Sequence, residues 1–198
     1  MLEDGFHDVP AGKLAMIVTY LEMTSKTDTK DVPLPDGLSF RRVTADNAWY
    51  RDVFTRVGGT DWLWYGRLLL EDDALTAILS DPKVEIYTLS RDGQDLALLE
   101  LDFRKEGACE LAYFGLTSDL IGTGSGRWLM NKAIHLAWEK PISRFHLRTC
   151  TIDSPQALSF YNRSGFTPIK RSVEIADDPR NLGLLPETAG PNVPLLRP

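Results

Sequence analysis

The chain has 198 residues, 43% hydrophobic and 25% charged, with a formal net charge of −6. That length holds one full-sized core, and that apolar content excludes intrinsic disorder. The negative balance argues against nucleic acid as a partner and suits a cationic amine or a neutral metabolite better.

The run Leu14–Leu21 is too short to span a bilayer and follows the acids Glu3, Asp4 and Asp8, not a basic segment. The expectation is a soluble, cytoplasmic protein with no membrane partner. Cys109 and Cys150, the only cysteines, sit in apolar strand-like runs and are expected as buried free thiols.

In chain order, residues 13–23 (KLAMIVTYLEM) read as a strand, and Pro33, Pro35 and Gly37 mark a linker. A second strand over 38–43 precedes a helix over 47–57 capped by Thr44 or Asp46, with Trp49, Val53, Phe54 and Val57 on one face. Asp61 and Asp72 or Asp73 read as caps of two short helices. Residues 84–90, 96–104 and 108–116 form a meander, joined by Asp92-Gly93 and by Lys105-Glu106-Gly107.

Leu129, Met130, Ala133, Ile134 and Ala137 recur at helical spacing and predict a helix over 124–139. A strand over 142–152 follows. The next helix starts with Ser154 as cap and Pro155 at its first position, or with Asp153 as cap, and ends at Gly165. A last strand spans 166–175, and the segment from Asp177 onward is irregular. This order implies an α/β (α+β) fold, a mixed sheet with helices on both faces.

Between the third meander strand and the long helix lies IGTGSGRWLM, with Gly122, Gly124 and Gly126 on alternate positions. A P-loop fails, because Arg127 stands where its second glycine belongs and no Gly-Lys pair is followed by Ser or Thr. A dinucleotide fingerprint fails at Arg127, or at Leu129 in the other register. Two readings remain: a pyrophosphate cradle on the free N–H groups of the helix's first turn, with Arg127 adding a charge-assisted contact, or a tight turn that binds nothing.

ELAYFGLTSDLIGTGSGRWLM resembles motif A of the GNAT N-acetyltransferase superfamily, a strand followed by [Q/R]-x-x-G-x-[G/A] and a helix. Gly124 and Gly126 fill the glycine positions, and Ile121 replaces the usual Gln or Arg. IDSPQALSFYNRSGF is similar to the family's second motif, N-x-x-A-x-x-x-Y-x-x-x-G-F. Ala157, Tyr161, Gly165 and Phe166 match, and Ser154 replaces the Asn. The resemblance covers residues 38–175 and implies a mostly antiparallel central sheet. It divides the chain into an extension over 1–37, an acyl-CoA-binding domain over 38–175 and a tail over 176–198. For residues 1–37 the alternatives are an added edge strand, a cover for the acceptor site or a homodimer interface.

The resemblance further implies acetyl-CoA as cosubstrate, no metal, and an amine acceptor. The pyrophosphate would rest on Ile121, Gly122, Thr123, Gly124, Ser125, Gly126 and Arg127. The pantetheine arm would lie along Phe114, Gly115 and Leu116, between two strands that splay apart, and Ser154, Ala157 and Tyr161 are the further expected cofactor-binding residues. Tyr161 matches the tyrosine that protonates the departing sulfur, and the Leu116 N–H is the expected oxyanion donor.

Glu110 is the expected base, a carboxylate in an otherwise apolar strand, at the offset of the glutamate in histone-acetylating members. If Gly107 closes a three-residue loop in the left-handed conformation, Asp102 faces Glu110 and Glu100 faces Ala112. That register predicts an acidic cluster with one raised pKa, or else a solvated acidic face paired to Arg104 or Arg148. His146 is read as a satisfied core histidine, and Trp62, Trp64 and Tyr65 as an acceptor wall or as core. The leading function is acetyl transfer to an amine. Its rivals are a non-catalytic acyl-CoA-binding module and a nucleotide-binding oxidoreductase.

Overall fold

The computed structural model describes residues 3–198, so the first two residues of the 1–37 segment lie outside it. Its strands are β1 (Lys13–Met23), β2 (Ser39–Val43), β3 (Val84–Arg91), β4 (Gln94–Asp95), β5 (Ala97–Asp102), β6 (Ala108–Leu116), β7 (Arg144–Cys150) and β8 (Thr167–Asp177). They form one sheet in the order β2-β3-β5-β6-β7-β1-β8, with β4 paired to β3. Every pairing is antiparallel except β6 with β7, where helix α4 (Ser125–Trp138) makes the crossover.

Helix α4 covers one face of the sheet. Its predicted stripe, Leu129, Met130, Ala133, Ile134 and Ala137, is buried against Leu99, Leu101, Leu111, Phe145 and Leu147. Helix α1 (Asn47–Phe54) covers the other, placing Tyr50, Val53 and Phe54 on Ile86 and Leu98. Of its two candidate caps Asp46 serves, accepting the Trp49 N–H at 2.8 Å.

The helix then widens into a π turn over Thr55–Gly59 before the short α2 (Thr60–Trp62). Gly58 is required there, because a Cβ would lie 2.0 Å from the Trp64 ring. The expected aspartate caps are corrected. Asp61 lies inside α2, and Asp72 opens α3 (Asp72–Leu79) without capping it, since its carboxylate takes the Arg51 guanidinium instead.

Both meander turns follow the sequence. Asp92 (φ 52) and Gly93 (φ 78) close the first, and Gly107 (φ 68) is left-handed in the second. Asp102 pairs with Glu110 as predicted, but a bulge sets Glu100 opposite Tyr113, not Ala112.

Strand β1 is no edge strand. It sits between β7 and β8, antiparallel to both. Its Leu14, Met16 and Val18 are covered by Leu63 and by Leu185 and Ala189 of the tail. That tail has neither helix nor strand after β8, yet it is built around a buried pair, Asp178 and Arg180. The guanidinium also donates to the carbonyls of Ala189 at 3.0 Å and Val193 at 2.9 Å.

Candidate active site

Strands β6 and β7 pair only at Ala108–Arg144, Cys109–Phe145 and Glu110–His146. Beyond that last pair they diverge, while β6 stays joined to β5 as far as Leu116. The Thr117 N–H donates to Leu96 O at 2.9 Å, so strand alternation turns the N–H groups of Phe114 and Leu116 away from β5, into the gap. A cleft of about 430 Å³ occupies that gap, lined by Leu111–Leu116 on one wall and Arg148–Cys150 on the other.

At its outer end lies the glycine loop. Gly122 (φ 80) and Gly124 (φ 90) are left-handed, and a Cβ on either would meet nothing within 4 Å. Open space therefore lies above the loop. The N–H groups of Gly122, Gly124, Gly126 and Arg127 find no acceptor among the described residues. Thr123 and Ser125 turn inward: the Thr123 hydroxyl donates to Leu120 O at 2.8 Å and meets the Ser125 hydroxyl at 2.7 Å. Four free donors over an open concavity fit an anionic pyrophosphate. Ile121 is 57% exposed at the rim and adds no polar contact.

Arg127 lies over the Phe160 ring and donates to the Ser164 hydroxyl at 2.8 Å. Burial, and then the charge of Arg163, lower its pKa. Arg163 also lines the cleft, a guanidinium that the motif comparison missed because it lies on α5 (Ala157–Arg163), away from the glycine loop in sequence.

Ser154, Ala157 and Tyr161 all line the cleft opposite Phe114–Leu116. Neither Ser154 nor Asp153 is the formal cap of α5, which Gln156 precedes. Asp153 instead accepts the Cys150 N–H at 2.8 Å and the Thr149 hydroxyl at 2.7 Å. Tyr161 packs edge-on against Phe114 and Phe166, and its hydroxyl has no hydrogen-bond partner among the described residues. Burial, reinforced by the Asp153 charge, pushes its pKa well up.

Trp62, Trp64 and Tyr65 all line the cleft. The Trp64 indole lies over Gly58 and Gly115 and donates to Asp153 at 3.2 Å, while the Tyr65 hydroxyl donates to Glu174 at 3.0 Å. Asp153 and Glu174 are thus carboxylates of the cleft itself. Sequence reading took Asp153 for a helix cap and passed over Glu174, whose strand gives no local sign that its face is covered.

Of the predicted acidic cluster, Asp102 faces Glu110 as expected, while the bulge moves Glu100 from its place opposite Ala112 to one opposite Tyr113. Glu100 is buried and held by Arg67 and the Tyr50 hydroxyl. Burial works to raise the Asp102 pKa, but bonds from the Arg104 guanidinium and N–H outweigh it, and the net shift is downward. Glu100 and Asp102 thus each meet a cation before they meet a neighbouring carboxylate, and facing Glu110 does not raise the Asp102 pKa. Asp102 and Glu110 both lie outside the cleft lining, Glu110 one residue short of it. The thiols are free, and burial pushes the Cys150 pKa up to about 12.

The acetyltransferase (GNAT) family profile matches residues 47–166. Among solved structures, a GCN5-related N-acetyltransferase from Sphaerobacter thermophilus superposes with a TM-score of 0.60 at 13% identity, over 87% of this chain and 53% of its own. One from Kribbella flavida gives 0.55 at 19% identity, over 85% and 60%. A GNAT family acetyltransferase from Elizabethkingia anophelis, solved with acetyl-CoA bound, gives 0.53 at 15% identity, over 69% and 80%. This chain therefore spans little more than half the length of the first two. No protein of curated function matches it. The profile match, over more than half of the chain, and the shared fold agree: the chain belongs to the GNAT acetyltransferase family.

Proposed function

We propose that this protein is a cytoplasmic N-acyltransferase that moves the acetyl group of acetyl-CoA directly to a primary amine of a small molecule or peptide, within a ternary complex. The observation that carries this reading is the gap between β6 and β7, opening at one end onto four unbonded N–H groups of the glycine loop. A pyrophosphate on Gly122–Arg127 would send the pantetheine arm inward past Leu116 and Phe114, whose N–H groups face the gap. An extended arm pairs there as an added strand would. The thioester then comes to rest toward the root of the cleft, with the Phe114 or Leu116 N–H as oxyanion donor.

Tyr161 protonates the departing sulfur, since its phenol keeps its proton at neutral pH. Glu110, at the root, draws the proton from the amine through water. The acceptor approaches from the side walled by Trp62, Trp64 and Tyr65.

Thermal-shift measurements with acetyl-CoA, CoA, NAD and ATP test the ligand, and thiol release against an amine panel tests turnover. Stabilisation by acetyl-CoA and CoA, with thiol release from at least one amine, is the expected outcome. A shift with NAD alone would overturn the reading. Binding of acetyl-CoA without thiol release would leave a non-catalytic module.

A further inference from the structure

His146 was expected to be a satisfied core histidine, and it is not one. It is half-buried, and neither ring nitrogen has a hydrogen-bond partner among the described residues. It stands on the last pair before β6 and β7 part, directly across from Glu110 and, on its other side, from Glu22 of β1. Register partners share a face, so the imidazole, Glu110 and Glu22 project to the same side as Arg148, two residues on, which lines the cleft. One strand step therefore separates the pair from the cavity, about 7 Å for two residues.

We propose that His146 and Glu110 act as one proton-accepting pair at the root of the cleft, His146 taking the acceptor amine's proton through water and Glu110 holding the resulting imidazolium. This rests on the acyl-transfer reading above and moves the proton-accepting step from Glu110 alone to His146, with Glu110 as its counter-charge.

The groups around the ring suit that role. Glu22 is already paired with Arg144 at 2.7 Å, and Asp102 with Arg104 at 2.6 Å, while Glu110 has no cation partner among the described residues. Glu110 is thus the nearby carboxylate free to meet a new positive charge. Burial lowers the His146 pKa, Arg144 and Lys105 add to that, and Glu110 and Glu22 oppose it. The resting imidazole is therefore neutral at pH 7 and able to accept.

The protons balance. The ammonium R–NH3+ gives its first proton to His146, which passes it to bulk water, and the free amine attacks the thioester carbon. The C–N bond forms, the C–S bond breaks, and the thiolate takes a proton from Tyr161. The second proton lost from nitrogen, as the amide forms, restores the Tyr161 phenol. The net release is one proton to solvent per turnover.

The pair is tested first without an acceptor, by NMR titration of the His7, His135 and His146 ring signals in wild type and in Glu110→Gln. His146 is expected to titrate below the ordinary histidine value, and lower still in the variant, because Glu110 no longer favours its charged form. An unchanged His146 titration would overturn the pairing.

Thiol release from acetyl-CoA is then followed from pH 5 to 9 with tyramine, spermidine and a lysine peptide as acceptors. His146→Gln should lower kcat/KM at least tenfold and displace its acid limb, with the KM for acetyl-CoA unchanged. Wild-type turnover with the same acid limb in His146→Gln would overturn this inference alone. No enzyme-dependent thiol release with any of these acceptors would overturn it together with the acyl-transfer reading, a failure told apart by the wild type's own inactivity.

Discussion

Tyr161 packs among Phe114, Phe160 and Phe166 and lines the cleft. Tyr161→Phe keeps that packing and removes the proposed acid, so kcat should fall at least tenfold in a thiol-release assay while acetyl-CoA affinity stays the same. Because its pKa is raised, the wild-type rate should hold as pH rises and decline only beyond the ordinary tyrosine value of about 10. Gly124 carries a different requirement. At φ 90 an alanine meets no neighbour but must adopt a left-handed backbone costing about 1–2 kcal/mol, so Gly124→Ala should weaken acetyl-CoA binding roughly 5- to 30-fold by calorimetry. The two-motif pattern made both residues legible. Asp153, Glu174 and His146 were not, because their meaning depends on what the chain brings beside them.

At the scale of the element, β6 is shaped from both sides. A methyl on Gly115 would lie 2.6 Å from Val57 and 2.9 Å from Trp64, so Gly115→Ala overpacks the joint between the π turn and the strand. A cost of about 1–3 kcal/mol, or roughly 2–12 °C in melting temperature, should appear in thermal denaturation. In the tail, Asp178 and Arg180 are each 2% exposed. Asp178→Asn leaves a buried guanidinium without its counter-charge, worth about 3–5 kcal/mol. Faster hydrogen exchange should follow along residues 185–193, whose carbonyls Arg180 gathers.

The strands, the long helix and both meander turns could be read from period and turn chemistry, since those signals are local. The bulge near Ala112 could not, nor could the failure of Asp61 and Asp72 to cap. Asp72 and Asp102 were drawn off by Arg51 and Arg104, partners that a residue-by-residue reading does not weigh.

Over the whole molecule, carboxylates and one histidine set the response of stability on the acid side. Bonds to Lys140 and Tyr87 overcome burial and lower the Glu85 pKa. Bonds from Ser90, Trp49 and Arg41 do the same at Asp95, and those from Arg180 at Asp178. A carboxylate with a lowered folded pKa contributes stability above its unfolded value, and that stability is lost as pH falls through the folded one. His146, whose folded pKa is also lowered, binds its proton more readily unfolded, so it too weakens the fold as pH falls below its unfolded value of about 6.5. Melting temperature should therefore slip modestly from pH 7 to pH 5 and drop steeply below pH 4. His146→Gln should flatten the first of these segments and leave the second.

The place of β1 has a consequence in time. The strand that β8 needs as its neighbour is made first, yet its partners lie more than a hundred residues further on: Met23 pairs with Phe145 and Lys13 with Asp177. At about 5–20 residues per second, synthesis leaves KLAMIVTYLEM without its partners on the order of ten seconds. It is an apolar, β-prone segment of the kind that pairs with whatever edge is offered. The sheet can be completed only when both neighbours arrive, so its final closure joins the most distant parts of the chain. Pairings this far apart fold slowly, and the cleft wall that includes Met16 and Val18 of β1 is finished last.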